Sequence, residues 1–263
     1  MVRTDEFELK AMKKNYNEND KEKDEQELLN ELSDKNIIIF GKNLIKDYEI
    51  GDFIVRAVDD VSIKLNEGEY VCIIGPSGAG KTSLLNLLGG LDTPDSGIIY
   101  NQGIKISDME QESLTLFRLF NSGFIFQNYN LISTLTAEEN IMFPMNLAGM
   151  KFEEQRDRAI KLLKLIKLDE RREHLPFQLS AGEQQRVAIA RALANDPPII
   201  LADEPTANLD KRTSKIIRAL FSDLKNDNKT ILIATHDNDL IALADKIISF
   251  DDGKITNIEV CSK

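Results

Sequence analysis

The chain reads as an α/β protein built on a buried parallel sheet, and three observations in its 263 residues lead there. Tyr70–Ile74 is uniformly apolar over the length of one strand, which suits a strand covered on both faces. A glycine-rich turn follows it at once and opens a helical segment over 82–88. From residue 199 onward strand-sized and helix-sized segments alternate: strand 199–202, helix 213–225, strand 231–235, helix 239–244. Alternation at these lengths builds a parallel sheet with crossover helices.

In chain order, residues 1–36 are dominated by charge, with seven Lys/Arg against eleven Asp/Glu and few apolar anchors beyond Leu28, Leu29 and Leu32. They read as a solvated extension or as a docking arm for a partner. Short β-type runs follow at 37–40, 53–58, 61–65 and 70–74, punctuated by turn residues such as those at 66–68. Residues 91–97 form a turn containing Pro94, and 97–106 a hairpin around 101–103. The middle, 107–177, is mostly helical in period. Its clearest case is 151–168, with Ile160, Leu163 and Ile166 on one stripe. Residues 180–194 predict a further helix, and the chain ends in a hairpin through Asp252 and Gly253.

The net charge of −11 argues against nucleic-acid binding, which relies on Lys and Arg to neutralise phosphates. No apolar run approaches the 18 or so residues of a membrane span. No charged leader with an apolar run opens the sequence, and two cysteines, Cys72 and Cys261, make no disulfide framework. A cytoplasmic setting is the expectation.

The chemistry begins at residues 75–82, Gly-Pro-Ser-Gly-Ala-Gly-Lys-Thr, which fit the phosphate-binding loop G-x-x-x-x-G-K-[ST] between a buried strand and a helix. Glycines let successive backbone N–H groups turn inward around a phosphate chain, and the helix points its positive end at that charge. The predicted nucleotide contacts are Gly75, Ser77, Gly78, Ala79, Gly80, Lys81, Thr82 and Ser83. Lys81 reaches the terminal phosphates and the Thr82 hydroxyl is set for Mg²⁺. The apolar strand 199–202 runs into Asp203 and Glu204, where ligands of a parallel sheet collect. Asp203 is expected to hold Mg²⁺ and Glu204 to polarise an attacking water.

With these pieces in order, the stretch from residue 37 to the end resembles the nucleotide-binding subunit of ABC transporters. Phe126-Gln127 resembles the loop whose glutamine contacts Mg²⁺ and senses the γ-phosphate. Leu-Ser-Ala-Gly-Glu at 179–183 resembles the family signature Leu-Ser-Gly-Gly-Gln, keeping Ser180 and Gly182 but carrying Ala181 and Glu183. Ala-Asn-Leu-Asp at 207–210 resembles the family's D-loop and brings Asp210 into the nucleotide-binding set. His236 matches the switch histidine, and Tyr48 stands where the family stacks an aromatic ring on adenine. The resemblance implies an ABC-cassette fold: a P-loop NTPase with a parallel-sheet core, an N-terminal antiparallel β subdomain and a helical subdomain at about 128–178.

It further implies that ATP and Mg²⁺ bind, that Lys81, Gln127, Glu204 and His236 carry hydrolysis, and that the signature serves a site on a second copy. The expected partners are another ABC ATPase subunit, as a homodimer or with a close paralogue, and an integral membrane permease that holds the chain at the inner face of the membrane. Residues 123–132, 135–141, 188–193 and 195–203 resemble the lipoprotein-release and macrolide-export branch. A soluble ABC ATPase and a nucleotide-gated scaffold are the alternatives. Independently of the family, Ser180-x-x-Glu183 is a capping box that closes the start of its own helix.

Overall fold

The computed structural model describes residues 36–207 and 209–261. The predicted extension over 1–36 therefore lies outside the described residues except for Asn36. The strands are β1 (Ile37–Ile50), β2 (Phe53–Asn66), β3 (Tyr70–Ile74), β4 (Ser96–Asn101), β5 (Ile104–Lys105), β6 (Ser122–Ile125), β7 (Ile199–Asp203), β8 (Thr230–Ala234), β9 (Lys246–Asp251) and β10 (Lys254–Val260). The helices are α1 (Lys81–Leu88), α2 (Gln111–Asn121), α3 (Ala137–Leu147), α4 (Phe152–Leu165), α5 (Ala181–Ala192), α6 (Lys211–Asn226) and α7 (Asn238–Ile241).

Six strands form the central sheet in the order β10–β9–β3–β8–β7–β6. All neighbours pair in parallel except the β9–β10 hairpin at one edge. The period-2 alternation of strands divides the core into two layers. Tyr70, Cys72, Ile200, Ala202, Ile231 and Ile233 face one layer, with apolar residues of α3, α4, α5 and α6. Val71, Ile73, Ile199, Leu201, Leu232 and Ala234 face the other, with α1, α2 and the strands of a second sheet ordered β2–β1–β4–β5. Both faces are covered, so the central strands carry no polar face. That is why Tyr70–Ile74 is apolar throughout.

Four details differ from the sequence reading. The stretch 107–177 holds β6, a strand of the central sheet, between α2 and α3. The runs 53–58 and 61–65 are one strand, β2, with Asp60 absorbed at a left-handed φ of 54°. Of the stripe read over 151–168, Leu163 and Ile166 are buried, Ile166 just past the end of α4, while Ile160 is only partly covered and Gln155, Ala159 and Leu162 complete the buried face. The predicted helix over 239–244 shortens to α7, four residues capped by Asp237.

Candidate functional site

The site is set by strand order. In β3, β8, β7 and β6, four adjacent parallel strands, Ile73 pairs with Ala234, Ala234 with Asp203, and Ala202 with Ile125. Their carboxyl ends thus lie in a row about 4.8 Å apart. Just past these ends stand the loop at Gly75, His236, Glu204 and Gln127, so residues far apart in the chain meet on one sheet edge.

The loop between β3 and α1 is shaped by close backbone approach. A Cβ on Gly75 would lie 1.9 Å from the Phe250 carbonyl oxygen, and one on Gly80 1.9 Å from that of Ala57. No larger residue fits either place. Gly78, with φ 81° and nothing within 4 Å of a Cβ, faces open space. Gly80 caps α1 without any side-chain hydrogen bond, so the first N–H groups of the helix keep their donors for an external anion. Lys81 curls back over the loop, donating to the carbonyls of Gly75 and Pro76 at 2.8 Å each. Ser83 stands beside the Tyr48 hydroxyl.

Thr82 Oγ1 donates to Asp203 Oδ2 at 2.7 Å, joining the helix start to the end of β7. Burial pushes the Asp203 carboxyl above its ordinary range, and neighbouring Glu204 pushes the same way against Thr82 and Lys81. Glu204 has a left-handed backbone, φ 45°, which costs a non-glycine residue about 1 kcal/mol. Its N–H donates to the Ala234 carbonyl at 2.8 Å, which holds it against β8. His236 Nδ1 stands 2.9 Å from Glu204 Oε2. The approach is close but not aligned, because that buried oxygen has no hydrogen-bond partner of good geometry. Gln127 is exposed two residues beyond β6, next to Phe126, whose ring stacks on Phe124 at 5.8 Å.

These groups fit a nucleoside triphosphate with a hard divalent cation. The cradle offers backbone donors and one ammonium. Thr82 and Asp203 offer two adjacent oxygens, and Mg²⁺ takes few protein oxygens and keeps several waters. Among the described residues no group of three or more His, Cys, Asp and Glu forms a protein-only metal cage.

Ser180, Gly182 and Asp210 form a second cluster. Ser180 caps α5 as the sequence implies: the Glu183 carboxylate accepts from the Ser180 N–H at 2.8 Å and from its hydroxyl at 2.9 Å. Those bonds hold the Glu183 carboxyl below its ordinary value, with Arg171 3.6 Å away. Asp210 caps α6 and accepts the Thr213 hydroxyl at 2.7 Å. A Cβ on Gly182 would lie 2.4 Å from Thr213 Cγ2, so Gly182 lets the two helix starts touch. Hydrogen bonds tie Ser180 to Glu183, not to Lys81 or Thr82.

Two sets of supporting residues escaped the sequence reading. Asp237, beside His236, accepts from Thr206 at 2.8 Å and from Arg218 at 2.9 Å, joining the loop after Glu204 to α6. Tyr48 donates to Asp92 Oδ2 at 2.8 Å, and buried Lys46 donates to Asp92 Oδ1 at 2.9 Å. The pairs lie 19 to 46 positions apart in sequence, beyond the reach of any local pattern.

Cradle, strand-edge acids and uncapped helix start define a P-loop nucleotide-binding protein of the α/β class. The ABC transporter family model matches residues 58–207, and this chain belongs to that family. It is 46% identical over 223 residues to an uncharacterised ABC transporter ATP-binding protein, MJ0796, of Methanocaldococcus jannaschii, covering 83% of this chain and 95% of that one. An uncharacterised ABC transporter ATP-binding protein of Thermotoga maritima is 48% identical over 214 residues, covering 81% and 92%. The macrolide export ATP-binding/permease protein MacB of Hyphomonas neptunium is 44% identical over 214 residues, and there the match spans only 33% of the longer protein. The solved dimer of MJ0796 bound to ADP and phosphate superposes with a TM-score of 0.82 at 43% identity, over 86% of this chain and 99% of that one.

Proposed function

We propose that this chain is the ATP-hydrolysing subunit of an ABC transporter, closing as a dimer on ATP to drive a separate membrane permease of the export type. The observation that carries it is the strand-edge constellation: Thr82 bonded to Asp203 at 2.7 Å beside the Lys81 loop, with His236 2.9 Å from Glu204. The dimeric ADP-and-phosphate structure of MJ0796 supports both the reaction and the pairing.

The roles rest on the chemistry of each group. The loop N–H groups and Lys81 bind the phosphates, exchanging the Gly75 and Pro76 carbonyls for phosphate oxygens. Thr82, Asp203 and Gln127 are the residues that would hold Mg²⁺, which when bound neutralises charge developing between the phosphates. Glu204 orients and polarises the attacking water, and His236, 2.9 Å from Glu204, lies on the γ-phosphate side. Ser180 and Gly182 at the start of α5, with Asp210 at the start of α6, are offered to the nucleotide of a second copy. A complete site then needs two chains.

An apolar groove supports a membrane partner. Exposed Leu116, Phe143 and Leu147 line it with Phe124 and Phe126. Phe126 precedes Gln127, so a permease segment seated there presses on the loop expected to sense the nucleotide. In MacB the ATP-binding part is joined to a permease in one chain, which supports such a partner and an export role. No helix among the described residues is long and apolar enough to cross a membrane.

The test is the pair Lys81→Ala and Glu204→Gln. Lys81→Ala is expected to lose ATP binding. Glu204→Gln is expected to keep binding, lose hydrolysis by about 10²-fold or more, and accumulate as an ATP-bound dimer in size-exclusion chromatography. Retention of hydrolysis by either variant would refute the assignment.

A further inference from the structure

The turn after α1 does more than end a helix. Leu91 and Asp92 both donate their N–H to the Asn86 carbonyl, at 2.8 and 3.2 Å, so the Asp92 backbone is anchored to the last turns of α1. Its carboxylate reaches back to β1, where one oxygen accepts from the Tyr48 hydroxyl at 2.8 Å. The other accepts from the Lys46 ammonium at 2.9 Å and from the Thr93 N–H at 2.8 Å. Lys46 is buried, gives a second hydrogen bond to the Thr93 carbonyl at 2.8 Å, and stands 5.4 Å from the centroid of the Tyr48 ring. A phenol with one free torsion at its hydroxyl is thereby fixed at the oxygen by a charged acceptor and on one face by a cation.

We infer that Asp92, backed by Lys46, is a positioning residue for the purine base: it fixes the Tyr48 ring so that one face is closed by the ammonium and the other is left for the base to stack on. The inference rests on the ATP-binding reading above and adds the element that sets base recognition. Two features carry it. The hydroxyl–carboxylate bond is of the charge-assisted kind, which holds geometry better than a neutral one. The anchor also belongs to the turn closing α1, so the base platform and the phosphate cradle hang from the same eight-residue helix. Ser83, beside the Tyr48 hydroxyl on that helix, lies between them. The cation near the ring face also draws electron density away from the far face, which favours an electron-rich purine over that face.

The consequence is that Asp92 acts on the base and not on the phosphates. Tyr48→Phe keeps the ring, Lys46 and Asp92 in place and removes only the hydroxyl, so it is the variant that tests orientation without threatening the fold. Asp92→Asn keeps the shape of the acceptor and removes its charge. Both should raise the KM for ATP by about three- to tenfold, the range of one lost hydrogen bond, with the effect falling on KM rather than on kcat. Binding of inorganic triphosphate, which has no base, should stay within twofold or so of wild type. The double variant should be no weaker for ATP than the weaker single one, because both changes reach the base through the same Tyr48–Asp92 bond.

Calorimetric titration of the full chain with ATP and with inorganic triphosphate, beside steady-state kinetics, decides it. Losses that add in the double variant, an unchanged KM in Tyr48→Phe, or a parallel loss of triphosphate binding would each overturn the positioning role. Wild-type protein that held neither ligand would instead remove the nucleotide-binding reading on which this one stands.

Discussion

Asp203 illustrates what a buried acid at a ligand site does to the protein that carries it. Burial raises its carboxyl pKa above the unfolded value, so the stability it contributes is full below the unfolded carboxylate range and is lost as pH rises through the folded value. At neutral pH the nucleotide-free chain therefore carries this charge at a cost, relieved only in part by the Thr82 hydroxyl. Asp203→Asn is expected to raise the melting temperature of the nucleotide-free protein by a few degrees, roughly, at pH 7, and by less at pH 4. The same change should abolish Mg²⁺-dependent hydrolysis. A scan of thermal unfolding against pH, with and without Mg-ATP, checks both halves. Cys72 gives the contrast: burial pushes its thiol up to about 12, and it serves as an apolar core residue.

The starts of α5 and α6 meet at Gly182 and Thr213, so what happens at one helix start is felt at the other. The unusual Ala181 stands at the first position of α5, between Ser180 and Gly182, and is exposed. Its Cβ limits the backbone conformations open to that turn. Ala181→Gly is expected to raise the ATPase rate a few-fold, roughly, and to favour the closed dimer. Equal rates and equal dimerisation would show that the departure is neutral. Elements of this kind are where the sequence was easiest and hardest to read. The capping box at Ser180 and Glu183 is local chemistry and could be read directly. β6 could not: it is four residues long and contains Gly123. That glycine is there because a Cβ would lie 2.4 Å from the Ala192 carbonyl oxygen of α5. The close packing that makes β6 a core strand also erased its strand signature. Likewise the phosphate loop and the acids after β7 are legible as short strings. The tethers Asp92 to Tyr48 and Arg218 to Asp237 exist only after folding.

On the proposed dimer reading, the whole molecule offers half of each of two sites: the cradle on the sheet edge, and the starts of α5 and α6 for the nucleotide of a second copy. Complementation between two inactive variants tests this directly. Lys81→Ala keeps an intact Ser180, and Ser180→Ala keeps an intact Lys81. Mixed dimers of the two should recover hydrolysis that neither homodimer has, measured as ATPase rate against mixing ratio with a maximum near equal amounts. A straight line of zero activity would mean that one chain completes its own site. Lys81 bears on how tightly such a site holds its ligand. Its ammonium is buried and donates to the Gly75 and Pro76 carbonyls, so its charge is paired within the chain itself. A triphosphate that takes up this ammonium must outcompete two neutral acceptors, and the net gain of each phosphate contact is reduced by the bond it replaces.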